Sequence, residues 1–174
     1  MLTKNNAFTV LRIFLENPEK KFHIREIARI TKLSPPGVMK IVKNIVKEGI
    51  LVEEKGKVVN NVFANKSEKF IQMKRLFNVY FLYECGLVYF LRHKYEEPEA
   101  IILFGSYSKG EDISKSDIDI AIITGKNMDL DLKKFESVLK RKINIHEIRI
   151  KNAQKEFLNS LSNGIVLYGY LKVL

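Results

Sequence analysis

Between positions 100 and 124 two short runs, Ala100 to Phe104 and Ile118 to Thr124, are bounded by turn-forming residues and are too short for core helices. Both read as strands. The first runs straight into Gly105-Ser106, and the second is led by Asp117-Ile118-Asp119. Residues two apart on a strand share a face, so both carboxylates point the same way with α-carbons roughly 6–7 Å apart. Ile118, Ile120 and Ile122 fall on the opposite face and supply the core that fixes this orientation. The carboxylates therefore face a cleft or solvent. Two anions held that close repel unless a cation lies between them, and an oxygen-only donor set suits a hard divalent ion, Mg²⁺ or Mn²⁺. Glycine permits close backbone approach, and a hydroxyl with free N–H groups can hold a phosphate. The two halves suit one ligand, a nucleoside triphosphate with its metal.

Charge divides the 174-residue chain differently. Its formal net charge is +10. Residues 1–65 carry 12 basic and 6 acidic groups, residues 66–95 carry 6 and 2, and residues 96–174 carry 12 and 12. All the excess lies in residues 1–95, ahead of a neutral remainder, a cue for nucleic-acid contact confined to the N-terminal part. The single cysteine, Cys85, excludes a disulfide framework and a cysteine-based zinc cluster and suits a reducing, cytoplasmic setting. The N-terminus shows no secretory signal pattern.

The front part reads as helix (Asn6 to Glu16), brief strand (Lys21 to Ile24), helix (Arg25 to Thr31, with Ile27, Ala28 and Ile30 inward), turn, and third helix. Ser34 is its N-cap, Pro35 suits its first position, and Gly49 ends it. Val38, Ile41, Val42, Ile45 and Val46 recur at helical spacing and leave Lys40, Lys43, Asn44 and Lys47 on the other side. Ile50 to Val52 and Val58 to Phe63 then flank Lys55-Gly56-Lys57, a hairpin with a basic tip.

This order resembles the winged helix-turn-helix domain, which implies a recognition helix in the major groove of double-stranded DNA. It would put Ser34, Pro36, Gly37, Met39, Lys40, Lys43 and Asn44 nearest the duplex, with Lys55 and Lys57 on phosphates, where contacts give salt-dependent affinity more than sequence discrimination. The alternative is that the lysines are a solvated face and the winged helix mediates only protein contact.

Lys66 to Tyr95 is a proline-free helical stretch, apolar nearly all round, with a break at Gly86 and a firm end at Glu96-Glu97-Pro98. Such a helix must be buried on several sides. It reads either as a homodimer interface or as a wedge between two domains of one chain. Leu76 to Leu91 is too short and too interrupted to span a bilayer, so no membrane contact is expected.

Gly-Ser, ten residues, then Asp-Ile-Asp, within Leu103-Phe104-Gly105-Ser106-Tyr107-Ser108-Lys109-Gly110 and Ser116-Asp117-Ile118-Asp119-Ile120-Ala121, resembles the signature of minimal nucleotidyltransferases of the DNA polymerase beta superfamily. The resemblance implies transfer of a nucleotidyl group from a triphosphate, ATP first among them, to a hydroxyl acceptor on a protein or nucleic acid. Gly105 and Ser106 would hold the β and γ phosphates, and Asp117 and Asp119 the metal. It also implies a third carboxylate on the next strand, Ile143 to Ile148, and the position falls on Asn144. An amide coordinates weakly and takes no proton. His146 shares its face and is the candidate base; Glu147 reaches that side only through a bulge. Asp129 and Asp131 read as N-terminal caps of a Lys133 to Lys142 helix with Phe135, Val138 and Leu139 inward, and Lys140-Arg141-Lys142 as that helix's basic end, a solvated cluster in the first reading and a neighbour of the nucleotide phosphates in the second. A further helix (Ala153 to Leu161) and strand (Gly164 to Leu171) close the domain.

The expected fold class is α+β: a winged helix domain over 1–65, a connecting helix over 66–82, and a small mixed α/β nucleotidyltransferase-type domain over 83–174. Relatives of the latter act as antitoxins that nucleotidylate a HEPN-type partner protein. Two functions stand open, a metal-dependent transferase and a transcriptional regulator whose second domain senses nucleotide without turnover.

Overall fold

The computed structural model describes residues 5–56 and 60–172. The chain divides into two compact units, Met1–Lys74 and Arg75–Leu174.

The first unit opens with α1, Asn6–Glu16, whose N-cap Asn5 accepts the Ala7 N–H at 2.8 Å. A two-residue strand β1 (Phe22–His23) leads into α2 (Ile24–Thr31) and α3 (Pro35–Lys47). Lys32, in the left-handed region at φ 57°, makes the turn between the two helices, and the Ser34 hydroxyl caps α3 by accepting the Gly37 N–H at 3.3 Å. Strands β2 (Leu51–Glu54) and β3 (Asn61–Ala64) complete an antiparallel sheet in the order β1-β3-β2. Val10, Phe14, Phe22, Ile27, Val38, Val42, Leu51 and Val62 form its core, with Phe14 and Phe22 edge to face at 5.3 Å. Three helices backed by a small sheet with a hairpin make this the winged helix-turn-helix arrangement. Ile30 does not point inward as the sequence suggests; it is 49% exposed. Ile27 and Ala28 are the buried residues of α2, with Ile24 and Thr31 half-buried at the flanking i and i+7 positions, and Ile30 falls outside this stripe.

The long apolar stretch is two helices, α4 (Glu68–Glu84) and α5 (Leu87–Lys94), broken at Gly86 with φ 81°. The second unit then builds a four-stranded sheet from β4 (Ala100–Phe104), β5 (Ile118–Ile123), β6 (Ile143–Ile148) and β7 (Ile165–Gly169), in the order β6-β5-β4-β7. β4 is antiparallel to both neighbours, while β5 and β6 run parallel. Three helices connect the strands: α6 (Gly105–Lys109) follows β4, α7 (Lys133–Leu139) joins β5 to β6, and α8 (Lys155–Ser162) precedes β7.

Alternation along the strands divides the side chains between two faces. Ile101, Leu103, Ile118, Ile120 and Ile122 are fully buried on one. Ala100, Ile102, Phe104, Ala121 and Ile123 lie on the other and cluster with Leu161 and Phe157 of α8. The face that carries Asp117 and Asp119 is thus covered at its far end, and the carboxylates stand at the margin of that cover. α7 is shorter than the sequence implies, because Lys140 takes a left-handed conformation at φ 54° and ends it. Val138, expected inward, is 47% exposed; Phe135 and Leu139 alone are buried from this helix. No helix among the described residues is long and apolar enough to cross a membrane.

Candidate active site and nucleic-acid interface

Phe104, the last residue of β4, is the antiparallel partner of Asp119, so the chain turns into α6 beside that carboxylate. Gly105 makes the turn at φ 73°, and a Cβ at this position would lie 2.7 Å from Asp119 Oδ2. Both the dihedral and the proximity demand glycine. The turn is closed by the Ser108 hydroxyl donating to Gly105 O at 2.8 Å and by the Glu111 N–H donating to Ser106 O at 3.1 Å. Ser106 itself is half-buried.

The parallel register of β5 and β6 sets Asn144 against Asp119 and His146 against Ala121. Asn144 Nδ2 donates to Asp117 Oδ2 at 3.3 Å and to Asp119 Oδ1 at 3.1 Å, so one amide spans the two carboxylates. His146 Nε2 lies 3.8 Å from Asp119 Oδ1 and is shielded from solvent with no hydrogen-bond partner; its ring meets Phe104 edge-on at 5.2 Å. Glycine turn, both aspartates, Asn144 and His146 therefore converge. Glu147 does not join them. β6 pairs without a register shift, and Glu147 Oε1 instead accepts from Tyr95 Oη and the Met128 N–H, each at 2.6 Å. Burial and then this bond push the Tyr95 phenol well above the ordinary tyrosine range. Among the described residues no group of three or more His, Cys, Asp or Glu side chains is arranged to hold a metal ion. The two aspartates have oxygens converging on a single nitrogen, a donor set that fits one hard divalent ion.

A buried polar network, which the sequence reading missed, fixes the segment between the glycine turn and Asp117. Asn78 of α4, 1% exposed, donates to Tyr107 O at 2.8 Å and to Asp112 Oδ1 at 2.7 Å. Asp112, 2% exposed, lies 3.7 Å from Arg141 Nη2. Arg141 is thus turned inward and is not a simple solvated helix end. The available signal was an amide inside a helix apolar nearly all round, since a buried polar group implies a partner. Of the second aspartate pair, Asp131 accepts the Lys133 N–H at 3.2 Å, a local cap at the start of α7, and Asp129 is exposed.

In the first unit, Ser34, Pro36, Met39, Lys40, Lys43 and Asn44 are exposed along α3, opposite buried Val38, Val42 and Ile45, and Gly37 is half-buried. Lys55 is exposed after β2, and Lys57 lies outside the described residues.

No curated protein matches the chain. Among solved structures, the adhesin competence repressor AdcR of Streptococcus pyogenes is similar at 18% identity and TM-score 0.39 over 49% of this chain. A ZitR variant of Lactococcus lactis is similar at 18% identity and TM-score 0.40, also over 49%. The chain spans 65% of the former and 60% of the latter, under two thirds of each. A toxin-antitoxin structure with AMP-PNP is similar at 25% identity and TM-score 0.39, over 53% of this chain and 74% of that one. Residues 88–171 match the family described as polymerase beta, nucleotidyltransferase, a stretch just under half the chain that contains Gly105, Ser106, Asp117, Asp119, Asn144 and His146.

Proposed function

We propose that the second unit binds a nucleoside triphosphate, ATP first among the candidates, with Mg²⁺ or Mn²⁺, and transfers its nucleotidyl group to a hydroxyl on a protein or nucleic acid. The observation that carries this reading is the seating of the Asp119 carboxylate against Gly105, where a Cβ would approach Oδ2 to 2.7 Å. It sets a glycine turn directly against one of two paired carboxylates. Gly105 and Ser106 hold the β and γ phosphates; Asp117 and Asp119 hold the ion, with Asn144 able to turn its carbonyl oxygen toward it. When bound, the ion neutralises charge on the attacking and leaving oxygens of an in-line displacement. The acceptor oxygen bonds to the α-phosphorus as the bond to the bridging oxygen breaks and pyrophosphate leaves, and His146 is the group on this face able to take the hydroxyl proton. The protein otherwise positions the reactants.

The first unit binds double-stranded DNA through α3 and the basic tip after β2. A HEPN-type protein is the partner to which the family resemblance points, and homodimerisation through the α4–α5 stretch is a further proposal. Asn144 favours a second reading, a regulator that senses nucleotide without turnover, because a neutral amide stands between the carboxylates where a third charge is expected.

Incubation with α-labelled triphosphate, Mg²⁺ or Mn²⁺ and candidate acceptors separates the two. Transfer that disappears in Asp117→Ala/Asp119→Ala is the expected result. Saturable triphosphate binding without transfer establishes the sensor, and absence of binding in the wild-type protein removes both readings.

A further inference from the structure

Three cations follow one another after α7, and the fold gives them different surroundings. Lys140 ends the helix at φ 54°, and Arg141 turns inward to Asp112. Lys142 enters the sheet: its carbonyl accepts the Ile118 N–H at 2.8 Å, extending the parallel ladder of β5 and β6 by one residue. That bond sets Lys142 beside Asp117, as Asn144 stands beside Asp119, on strands whose backbones lie about 4.8 Å apart. Ile143 is 7% exposed and belongs to the apolar face, so alternation gives Lys142 the face of Asn144 and His146. Lys142 is exposed there, at the open end of the carboxylate pair.

The charge of the site gives this placement its meaning. With Asn144 in place of a third carboxylate, two aspartates balance one divalent ion and have nothing left to hold a second. A triphosphate tail carries more negative charge than one such ion neutralises. An ammonium is a compact point charge suited to phosphate oxygens, and its flexible stem reaches over a neighbouring strand.

We infer that Lys142 is a phosphate-binding residue of this site, supplying beside a single divalent ion the positive charge that a second ion would otherwise bring. This rests on the nucleotide reading above. The phosphates of the bound triphosphate then lie between the Gly105 turn and the first residues of β6, and part of the affinity for the tail survives without metal.

The test is calorimetric binding of a non-hydrolysable ATP analogue and of AMP to the full chain, in Mg²⁺ and in EDTA. Lys142→Ala is expected to weaken analogue binding by about tenfold, the value of one charge-assisted contact, in both buffers. AMP is expected to lose less, Lys142→Arg to stay near the wild type, and Lys134→Ala, at the far end of α7, to be unaffected. Unchanged thermal unfolding of Lys142→Ala excludes a folding cause. Wild-type binding matched by Lys142→Ala overturns the lysine assignment alone. A wild-type protein that takes up no analogue overturns the nucleotide reading and this inference together.

Discussion

Gly105 is the residue on which the site's geometry turns. Its φ of 73° is one that L side chains avoid, and Asp119 Oδ2 occupies the space a methyl group would need. Gly105→Ala is therefore expected to lower stability by about 1–2 kcal/mol from the left-handed backbone alone. It is also expected to push the Asp119 carboxylate off the turn. Chemical denaturation measures the first effect and titration with a triphosphate analogue the second; nucleotide affinity should fall by far more than stability accounts for. That Asp117 and Asp119 share a face was legible in the sequence, because strand periodicity of two leaves no choice once the isoleucines are buried; the approach of Gly105 to Asp119 rests on the register of β4 against β5. What Asn144 does was not legible. Its place in the site came from the family resemblance, and the hydrogen bonds to both carboxylates depend on the register of β5 against β6, which no local pattern specifies.

At the scale of elements, the segment from Tyr107 to Ser116 is held by α4 through Asn78 and Asp112, partners 34 positions apart in sequence. Such a contact is invisible to any reading of local periodicity, whereas β4 and β6 announce themselves by composition and alternation and have the expected bounds. Ile30 and Val138 erred for a related reason. In helices of eight and seven residues the buried stripe is narrow, and an apolar residue at its margin is left in solvent. Asn78→Ala removes a donor from a buried carboxylate and is expected to cost about 1–3 kcal/mol. Asn78→Asp, which sets a second carboxylate against Asp112, is expected to cost more. Urea denaturation of the two variants checks the order. If the network only fills space, the two variants will be equally stable.

For the molecule as a whole, the +10 net charge belongs to residues 1–95, and the exposed cations of α3 lie opposite its buried stripe. Affinity for double-stranded DNA is expected to fall linearly on a log–log plot against salt, and Lys40→Ala/Lys43→Ala to reduce that slope by about 2 if each lysine meets one phosphate. Fluorescence anisotropy across a salt series gives both slopes; identical slopes would remove α3 from the interface. α4 belongs to both units: Phe70 and Lys74 are buried in its first half, Phe77, Asn78, Phe81 and Leu82 in its second, and the division at Lys74 falls between them. A scissor cut placed there would leave each half with a frayed stump in place of a wall. A fragment ending at Lys74 or starting at Arg75 would end or begin inside a helix, with the backbone groups of the severed turn left unpaired.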